Sequence, residues 1–256
     1  MRRSHPGWLA RPLLGLVACT PFTDPPLTPS SRPSPRWDSH MKGLAGIYPR
    51  IVLDVELYRP RTGRGRSGFF TGKLIAIGLG VQRSPSDARV EVLTVDGLGE
   101  AGLVRRTLEI LEAEARRGRG VLGGYNILSL DLPVILSKAY TLLGDRWGRR
   151  AASTLYRRFL VVDMFQHALH SYEGEGLPSF RWFYQRLACS HGLPVPPKDS
   201  GYNVHELYEA GDMGRIVEYS RLDTALHLLA LSALLGDPGT GRLAGRLGVG
   251  GGRAVC

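Results

Sequence analysis

Two carboxylates placed two residues apart are the first feature of this sequence that indicates chemistry. Asp54 and Glu56 lie in the run IVLDVELY, where apolar residues continue on both sides of the acids. Such a run is typical of a central strand, and side chains alternate across a strand, so both acids point to one face. Part-buried carboxylates repel each other unless a cation lies between them, and oxygen ligands favour Mg²⁺ or Mn²⁺. An exposed strand face is the alternative, and it would carry both acids without a function.

A third acid follows an asparagine in the segment GGYNILSLDLP. Asn126 comes after the apolar run VLGGY and falls at a predicted strand end, where α/β proteins place ligand groups. Asp131 precedes a predicted helix and is a candidate metal ligand. The alternative is an ordinary helix cap, since an Asp just before Leu132 and Pro133 suits a helix start.

A tyrosine and a fourth acid share a predicted helix near the end of the chain. Tyr219 and Asp223 are four residues apart in MGRIVEYSRLDTALHLLALSALL, where apolar residues recur at helical spacing. Side chains four apart lie on one face of a helix. A core tyrosine beside a surface acid would give the same pattern and is the alternative.

Taken in this order, the three segments resemble the three exonuclease motifs of the DEDD superfamily. Tyr219 lies four residues before Asp223, at the position where the histidine branch has His, so the pair matches the tyrosine branch. That branch includes the proofreading domains of family-B DNA polymerases. The resemblance covers about residues 50–236. It implies an α/β, ribonuclease H-like fold, with a mixed five-stranded sheet whose antiparallel meander is followed by parallel strands, flanked by helices. Two positions depart from the pattern: Leu130 replaces a common aromatic residue, and Leu57 replaces the usual Thr.

The resemblance also implies a reaction, the metal-dependent removal of nucleotides from a 3′ end by two Mg²⁺ or Mn²⁺ ions. Asp54 would touch both ions, Glu56 and Asp223 would hold the ion that carries the attacking water, and Asp131 would anchor the other ion. Tyr219 would position that water. Two further residues would contact substrate, Asn126 by orienting the pocket and Leu57 by lining it.

The expected substrate is the single-stranded 3′ end of a nucleic acid, with DNA favoured. An exoribonuclease that trims RNA 3′ ends is one alternative. A non-catalytic nucleic-acid-binding module with the same fold is another, although all four acids are present. Because the sequence ends shortly after the third motif, we expect a stand-alone enzyme or a subunit of a larger one, with replication or repair proteins as further partners.

Hydrophobic patterns predict the elements that would position these residues. Strands are expected at residues 50–58, 69–81, 90–95, 120–126 and 160–164. Helices are expected at residues 99–117, 131–143, 178–191, 204–210 and 212–235. Asp163, at the end of the fifth strand, is expected to cap the following helix or to support the site from behind.

Charge and composition divide the chain of 256 residues, whose net charge is +10. Residues 1–40 are rich in Pro and Ser and are expected to be a disordered extension, with Met41 as an alternative start. Residues 41–236 are expected to form the exonuclease domain that the resemblance implies, and the Gly-rich residues 237–256 are expected to be a flexible tail. A basic body around an acidic pocket suits a nuclease, because the surface attracts phosphate.

A turn-rich basic loop follows the first strand. We expect its four arginines to contact the nucleic-acid backbone, and a solvated hairpin loop is the equal alternative. These arginines are Arg59, Arg61, Arg64 and Arg66.

Cysteine usage and hydropathy bear on location. Cys19, Cys189 and Cys256 are far apart, show no zinc-ligand spacing and imply no disulfide framework. No apolar run approaches the length of a membrane span. The expected setting is therefore reducing and cytoplasmic, with no membrane partner.

Overall fold

A computed structural model describes residues 43–59, 72–172, 174, 176–196 and 204–253 of the chain. The predictions for residues 1–40 and for Arg61, Arg64 and Arg66 lie outside the described residues. In chain order the elements are β1 (Arg50–Tyr58), β2 (Lys73–Ser84), β3 (Asp87–Thr94), α1 (Val95–Ala115), β4 (Gly120–Gly124), α2 (Asp131–Leu143), α3 (Asp145–Arg157), β5 (Phe159–Asp163), α4 (Met164–Ser171), α5 (Phe180–His191), β6 (Pro194–Val195), α6 (Val204–Glu209), α7 (Met213–Leu234), α8 (Thr240–Arg246) and β7 (Gly252–Arg253).

Five strands form one mixed sheet in the order β3-β2-β1-β4-β5. The first three strands pair antiparallel as a meander, and β4 and β5 then add parallel to β1. This topology confirms the predicted α/β, ribonuclease H-like fold. The carboxyl ends of β1, β4 and β5 therefore meet at one edge of the sheet, as in other α/β folds that place ligand groups there.

Strand β1 lies at the centre of the sheet, and its side chains alternate between two cores. Leu53 and Val55 belong to the core beneath α1 and α2, whereas Val52 belongs to the core beneath α5 and α7. Asp54 and Glu56 continue the row of Val52, so both acids face the α7 layer. The apolar run around the two acids is explained by this burial on both faces.

Helix α3 is an element that the sequence analysis missed. Gly144, with φ 85°, separates it from α2, and Gly148 lies inside it. A glycine at both places is typical of a break in helical pattern. In the structure Gly148 is a packing residue, because a Cβ at this position would come within 2.2 Å of the Tyr140 ring. The glycine thus allows α2 and α3 to pack closely.

The expected flexible tail is instead part of the folded body as far as Arg253. Leu243 of α8 is fully buried, and the short strand β7 pairs with β6. Asp237 forms an ion pair of 2.5 Å with Arg50, whose side chain is fully buried at the start of β1. The Gly-rich composition was a poor guide here because long-range contacts hold the segment in place.

A polar network surrounds this buried ion pair. The Arg50 guanidinium also donates to the Gln82 side chain and to the backbone carbonyls of Ala45 and Ile47. Asp237 accepts from the Tyr48 hydroxyl at 3.0 Å and from the Gly239 backbone N–H at 2.7 Å. Burial acts to raise the pKa of Asp237, but the Gly239 N–H and Arg50 outweigh it and hold that pKa below its usual value.

Cys189 is disulfide-bonded, which corrects the expectation that the sequence implies no disulfide. Distance along the chain does not limit distance in space, so the wide spacing of the cysteines was no evidence against pairing. The argument from cysteines for a reducing setting is thereby removed. Cys19 and Cys256 lie outside the described residues. Among the described helices, none combines the length and the apolar character that a membrane crossing needs.

Replacing Asp237 by Ala should lower the free energy of unfolding by about 3–5 kcal/mol, because the Arg50 charge would remain buried without its partner. Urea unfolding at pH 7 measures the change. Asp145→Ala is the matched control, since Asp145 pairs with Arg149 at 3.8 Å on the surface and should matter little. Equal losses in the two variants would contradict this account. A lowered folded pKa also means that the Asp237 contribution is lost as the pH falls through that value.

Candidate active site

The two acids of β1 are half-buried near its carboxyl end, on the face that α7 covers. The antiparallel register pairs Asp54 with Gly78 and Glu56 with Ala76 of β2. A shift in register follows between Glu56 and Leu57. Bulges of this kind re-aim the side chains beside them. Asp54 and Glu56 are thus held by a rigid central strand just before its regular pairing ends.

Asp131, in the first turn of α2, accepts a hydrogen bond from Val55, the residue between these two acids. Its Oδ1 accepts from the Val55 backbone N–H at 3.0 Å. The parallel pairing of β1 with β4 is recorded from Arg50 to Val52. The carboxylate therefore satisfies a strand N–H beyond the paired stretch, and it fixes Asp131 against β1. The N-cap residue of α2 is Leu130, which makes no side-chain capping bond, and Asp131 is the first residue of the helix.

The environment of Asp131 disfavours its negative charge. The side chain is buried, and burial is the largest cause that raises its pKa well above the usual value. The bond from Val55 N–H acts in the opposite direction, while the charges of Glu56 and Asp163 raise the pKa further. A buried acid that is repelled by two other carboxylates is stabilised in its ionised form by a nearby cation.

Tyr219 and Asp223 approach the same place from α7. The Tyr219 hydroxyl is hydrogen-bonded to the Asp223 carboxylate, which is 7% exposed. Burial raises the pKa of Tyr219 most strongly, followed by Asp223, Glu56 and Asp54. The hydroxyl is therefore protonated throughout the ordinary pH range and acts as a donor. The helical spacing predicted this shared face, and the structure places it against the acids of β1.

Glycines in the sheet let α7 come this close. A Cβ at Gly78, opposite Asp54, would lie 1.9 Å from the Thr224 hydroxyl oxygen. A Cβ at Gly123 would lie 2.9 Å from the Leu231 side chain. The sequence analysis missed Gly78, although a glycine within the apolar run KLIAIGLGVQ signals a close approach of another element. Gly78 thus sets the distance between the acids of β1 and those of α7.

Asp163 organises the loop that carries Asn126 and leads to Asp131. Its carboxylate accepts from the backbone N–H groups of Asn126 (2.9 Å), Leu128 (3.2 Å) and Phe165 (3.0 Å). The last bond caps α4, so the predicted structural role is confirmed. Asn126 has φ 61°, a left-handed conformation that Asn tolerates better than most residues.

The predicted substrate contacts include Leu57 and the basic loop. Leu57 lies in the core on the other face of the sheet, and the loop is described only at Arg59. Leu57 is 8% exposed and belongs to the core beneath α1 and α2. The backbone N–H of Arg59 donates to Nδ1 of His205 at 3.0 Å, and burial lowers the pKa of the Arg59 side chain. Of the basic loop, only Arg59 belongs to the described residues.

The acids supply the donor set that Mg²⁺ or Mn²⁺ prefers, because every candidate ligand is a carboxylate oxygen. As their side chains stand, no group of three or more His, Cys, Asp or Glu in the described part of the chain has the spacing to hold a metal ion. Asp131 is turned to Val55 N–H and Asp223 to Tyr219. The fit to a divalent ion thus rests on donor chemistry and mutual electrostatic influence.

Asp131→Asn should stabilise the protein increasingly as the pH rises from 4 to 8 in the presence of EDTA. A raised pKa means that the folded state binds the Asp131 proton more tightly than the unfolded state, so wild-type stability falls as the pH rises towards that pKa. Asparagine has no such charge and still accepts from Val55 N–H. Urea unfolding at several pH values measures the difference, and a difference that shrinks with pH would contradict the assignment.

Gly78→Ala should lower the free energy of unfolding by about 1–3 kcal/mol, because the new methyl group overlaps Thr224. Adding Thr224→Ala should recover part of the loss, since it removes the overlapping hydroxyl. Gly46→Ala is the control, because a Cβ there meets nothing within 4 Å. Additive effects of the two substitutions in thermal unfolding would show that the two positions are not in contact.

Comparison with known proteins finds a likeness in structure alone. No family model and no curated protein sequence matches the chain. Its fold is similar to the structure of the family B DNA polymerase from the hyperthermophilic archaeon Pyrobaculum calidifontis, with a TM-score of 0.51 and 18% sequence identity. The match covers 77% of this chain and 27% of the polymerase chain. At this identity the likeness supports the fold, and it relates this chain to about a quarter of that polymerase.

Proposed function

We propose that this protein is a metal-dependent 3′→5′ exonuclease that removes nucleotides from the single-stranded 3′ ends of nucleic acid, with DNA preferred. The observation that carries the proposal is the meeting of three separate segments at one end of the sheet. Asp131 from α2 binds the N–H between Asp54 and Glu56. In the opposite layer, the Tyr219–Asp223 pair lies close enough to Asp54 and Glu56 that the charges of these two acids raise the pKa of Tyr219.

The proposed metal ligands are Asp54, Glu56, Asp131 and Asp223. When bound, two divalent ions would lower the pKa of a water molecule and stabilise the negative charge that develops on the phosphate and the leaving 3′ oxygen. The protein contributes the positions of the oxygen donors. Strand β1 fixes two of them, the Val55 N–H fixes the third, and the Tyr219 hydroxyl orients the fourth.

Tyr219 is proposed to orient the attacking water rather than to remove its proton. Its raised pKa keeps the phenol protonated, so the side chain is a hydrogen-bond donor at neutral pH. Its bond to Asp223 points the hydroxyl into the acidic cluster. Asp163 acts through the loop that it holds, which sets the path from Asn126 to Asp131.

DNA is favoured over RNA because the similar fold belongs to a DNA polymerase. The non-catalytic alternative would be favoured by the loss of an acid, and none of the four is lost. Trimming of RNA 3′ ends uses the same chemistry and is compared directly in the experiment below.

Asp54→Asn should reduce hydrolysis by about 10³-fold or more, because the loss of about 4 kcal/mol of charge stabilisation corresponds to that factor. The measurement is the stepwise shortening of 5′-labelled single-stranded DNA and RNA, as nucleotides are released from the 3′ end, with Mg²⁺, with Mn²⁺ and with EDTA. EDTA should abolish release by the wild-type chain.

Asp96→Asn is the matched control, since it makes the same change at an exposed acid in the first turn of α1. Its rate should equal that of the wild type. Equal rates for wild type and Asp54→Asn, or full activity in EDTA, would refute the proposed function. Faster release from RNA than from DNA would refute the stated preference while leaving the reaction class intact.

A further inference from the structure

A cluster of arginines lies on helix α3 and on the turn that ends α1, away from the acids. Residues 112–119 and 145–158 contain eight arginines and three acids, a net charge of +5 in a chain whose total is +10. Half of the excess positive charge is therefore concentrated in these two short segments. We call this group the α3 surface, and its arginines are Arg116, Arg117, Arg119, Arg146, Arg149, Arg150, Arg157 and Arg158.

The three acids of the α3 surface are each engaged by an arginine. Glu112 binds Arg150 through two hydrogen bonds. Glu114 binds Arg83 and Arg117, and Asp145 lies 3.8 Å from Arg149. The other five arginines are exposed and make no ion pair with any described residue. They are Arg116, Arg119, Arg146, Arg157 and Arg158. An exposed cluster of like charges costs folding energy, so it favours a partner that carries negative charge.

The fold brings the two segments together. Arg119 directly precedes β4 and Arg158 directly precedes β5, and the first residues of these parallel strands, Gly120 and Phe159, are partners in the sheet. Neighbouring strands lie about 4.8 Å apart. Along α3, Arg146, Arg150, Ser153 and Arg157 recur at intervals of four, three and four residues, so they form one stripe on the helix.

A groove crosses this surface between α1 and α3. Its volume is about 430 Å³, and its lining includes Arg116, Arg150, Arg158 and the hydroxyl residues Ser153 and Thr154. Guanidinium and hydroxyl groups are common donors to phosphate oxygens. One carboxylate, Glu112, also lines the groove and is neutralised by Arg150.

The α3 surface lies at the opposite end of the sheet from the candidate active site. Arg158 precedes the first residue of β5, and Asp163 is its last. Five residues of strand span about 16 Å. A nucleic acid must therefore extend beyond its terminal nucleotides to reach the arginines from the acids.

We propose that the α3 surface binds the phosphodiester backbone of the nucleic acid at a distance from the 3′ end that enters the active site. This inference rests on the proposed function for its partner, and it is independent of whether cleavage occurs. The α3 surface contacts the phosphates and not the bases, so it contributes affinity without sequence preference.

The test measures binding of a fluorescent single-stranded DNA of 20 nucleotides to the full-length chain in EDTA, over a range of salt concentrations. The variant Arg119→Ser with Arg158→Ser should bind about tenfold more weakly at low salt, and its salt slope should fall by about 1.4. The control is Arg181→Ser with Arg242→Ser, which removes two exposed arginines elsewhere. The control should keep the wild-type affinity and slope to within about twofold.

Hydrolysis of a dinucleotide, which is too short to reach the α3 surface, then tests whether the arginines act at the active site or away from it. One 3.4 Å step cannot span the 16 Å to the arginines, so kcat/KM for the dinucleotide should be equal in wild type and variant. Loss of dinucleotide hydrolysis in the variant would place these arginines in the active site and overturn the proposal. If no chain hydrolyses any substrate, the proposed function fails, and the binding measurement still decides the inference.

Two further results would overturn it. Equal weakening by the variant and its control would mean that only total charge matters. Binding of poly-glutamate as tight as that of the DNA, with the same loss in the variant, would assign the surface to an acidic protein partner. Support requires that the variant weakens DNA binding selectively while its thermal unfolding matches that of the wild type.

Discussion

The hydrogen bond from Val55 N–H to Asp131 is the interaction on which the candidate site depends. A buried strand N–H without an acceptor costs about 1–3 kcal/mol, and a fully buried carboxylate without a donor costs more. The carboxylate of Asp131 therefore supplies the acceptor for the Val55 N–H, and this N–H supplies a donor for the carboxylate. Because Val55 lies between Asp54 and Glu56, the same bond brings a third acid to the pair. The arrangement of the acids at the candidate site is in this way built into the pairing requirements of the central strand.

Bringing carboxylates together works against stability, so the surrounding packing must hold them. On α7, Thr224 lies so close to Gly78 that a Cβ would have no space, Ser220 lies beside it, and Leu228 packs on Gly80. These contacts press Asp223 and Tyr219 towards β1. At the other end of β1, the buried pair of Arg50 and Asp237 joins the strand to the segment after α7. The strand that carries the acids is thus held at both ends by α7 and its continuation.

Much of this could be predicted from local pattern. Apolar residues around alternating acids predicted a central strand, and the spacing of Tyr219 and Asp223 predicted their shared helix face. The features that were missed depend on distant residues. By local pattern Gly148 indicates a break in a helix, but in the structure it provides the space for the Tyr140 ring. By composition Asp237 belongs to a flexible tail, but in the structure it forms an ion pair with the distant residue Arg50. Sequence periodicity reports which face is buried, but it does not report what buries it.

The polarity of the parallel strands also resolves a conflict between binding and chemistry. Under the proposed function, the acidic cluster would repel the phosphates of its substrate, and arginines placed beside it would compete with a divalent ion for its carboxylates. Sheet direction separates the two. Asp54 and Glu56 lie near the carboxyl end of β1, whereas Arg119 and Arg158 precede the amino ends of β4 and β5. The separation of about 16 Å exceeds the Debye length of about 8 Å at physiological salt. The exposed arginines can therefore attract a polyanion without neutralising the acids that would hold the metal.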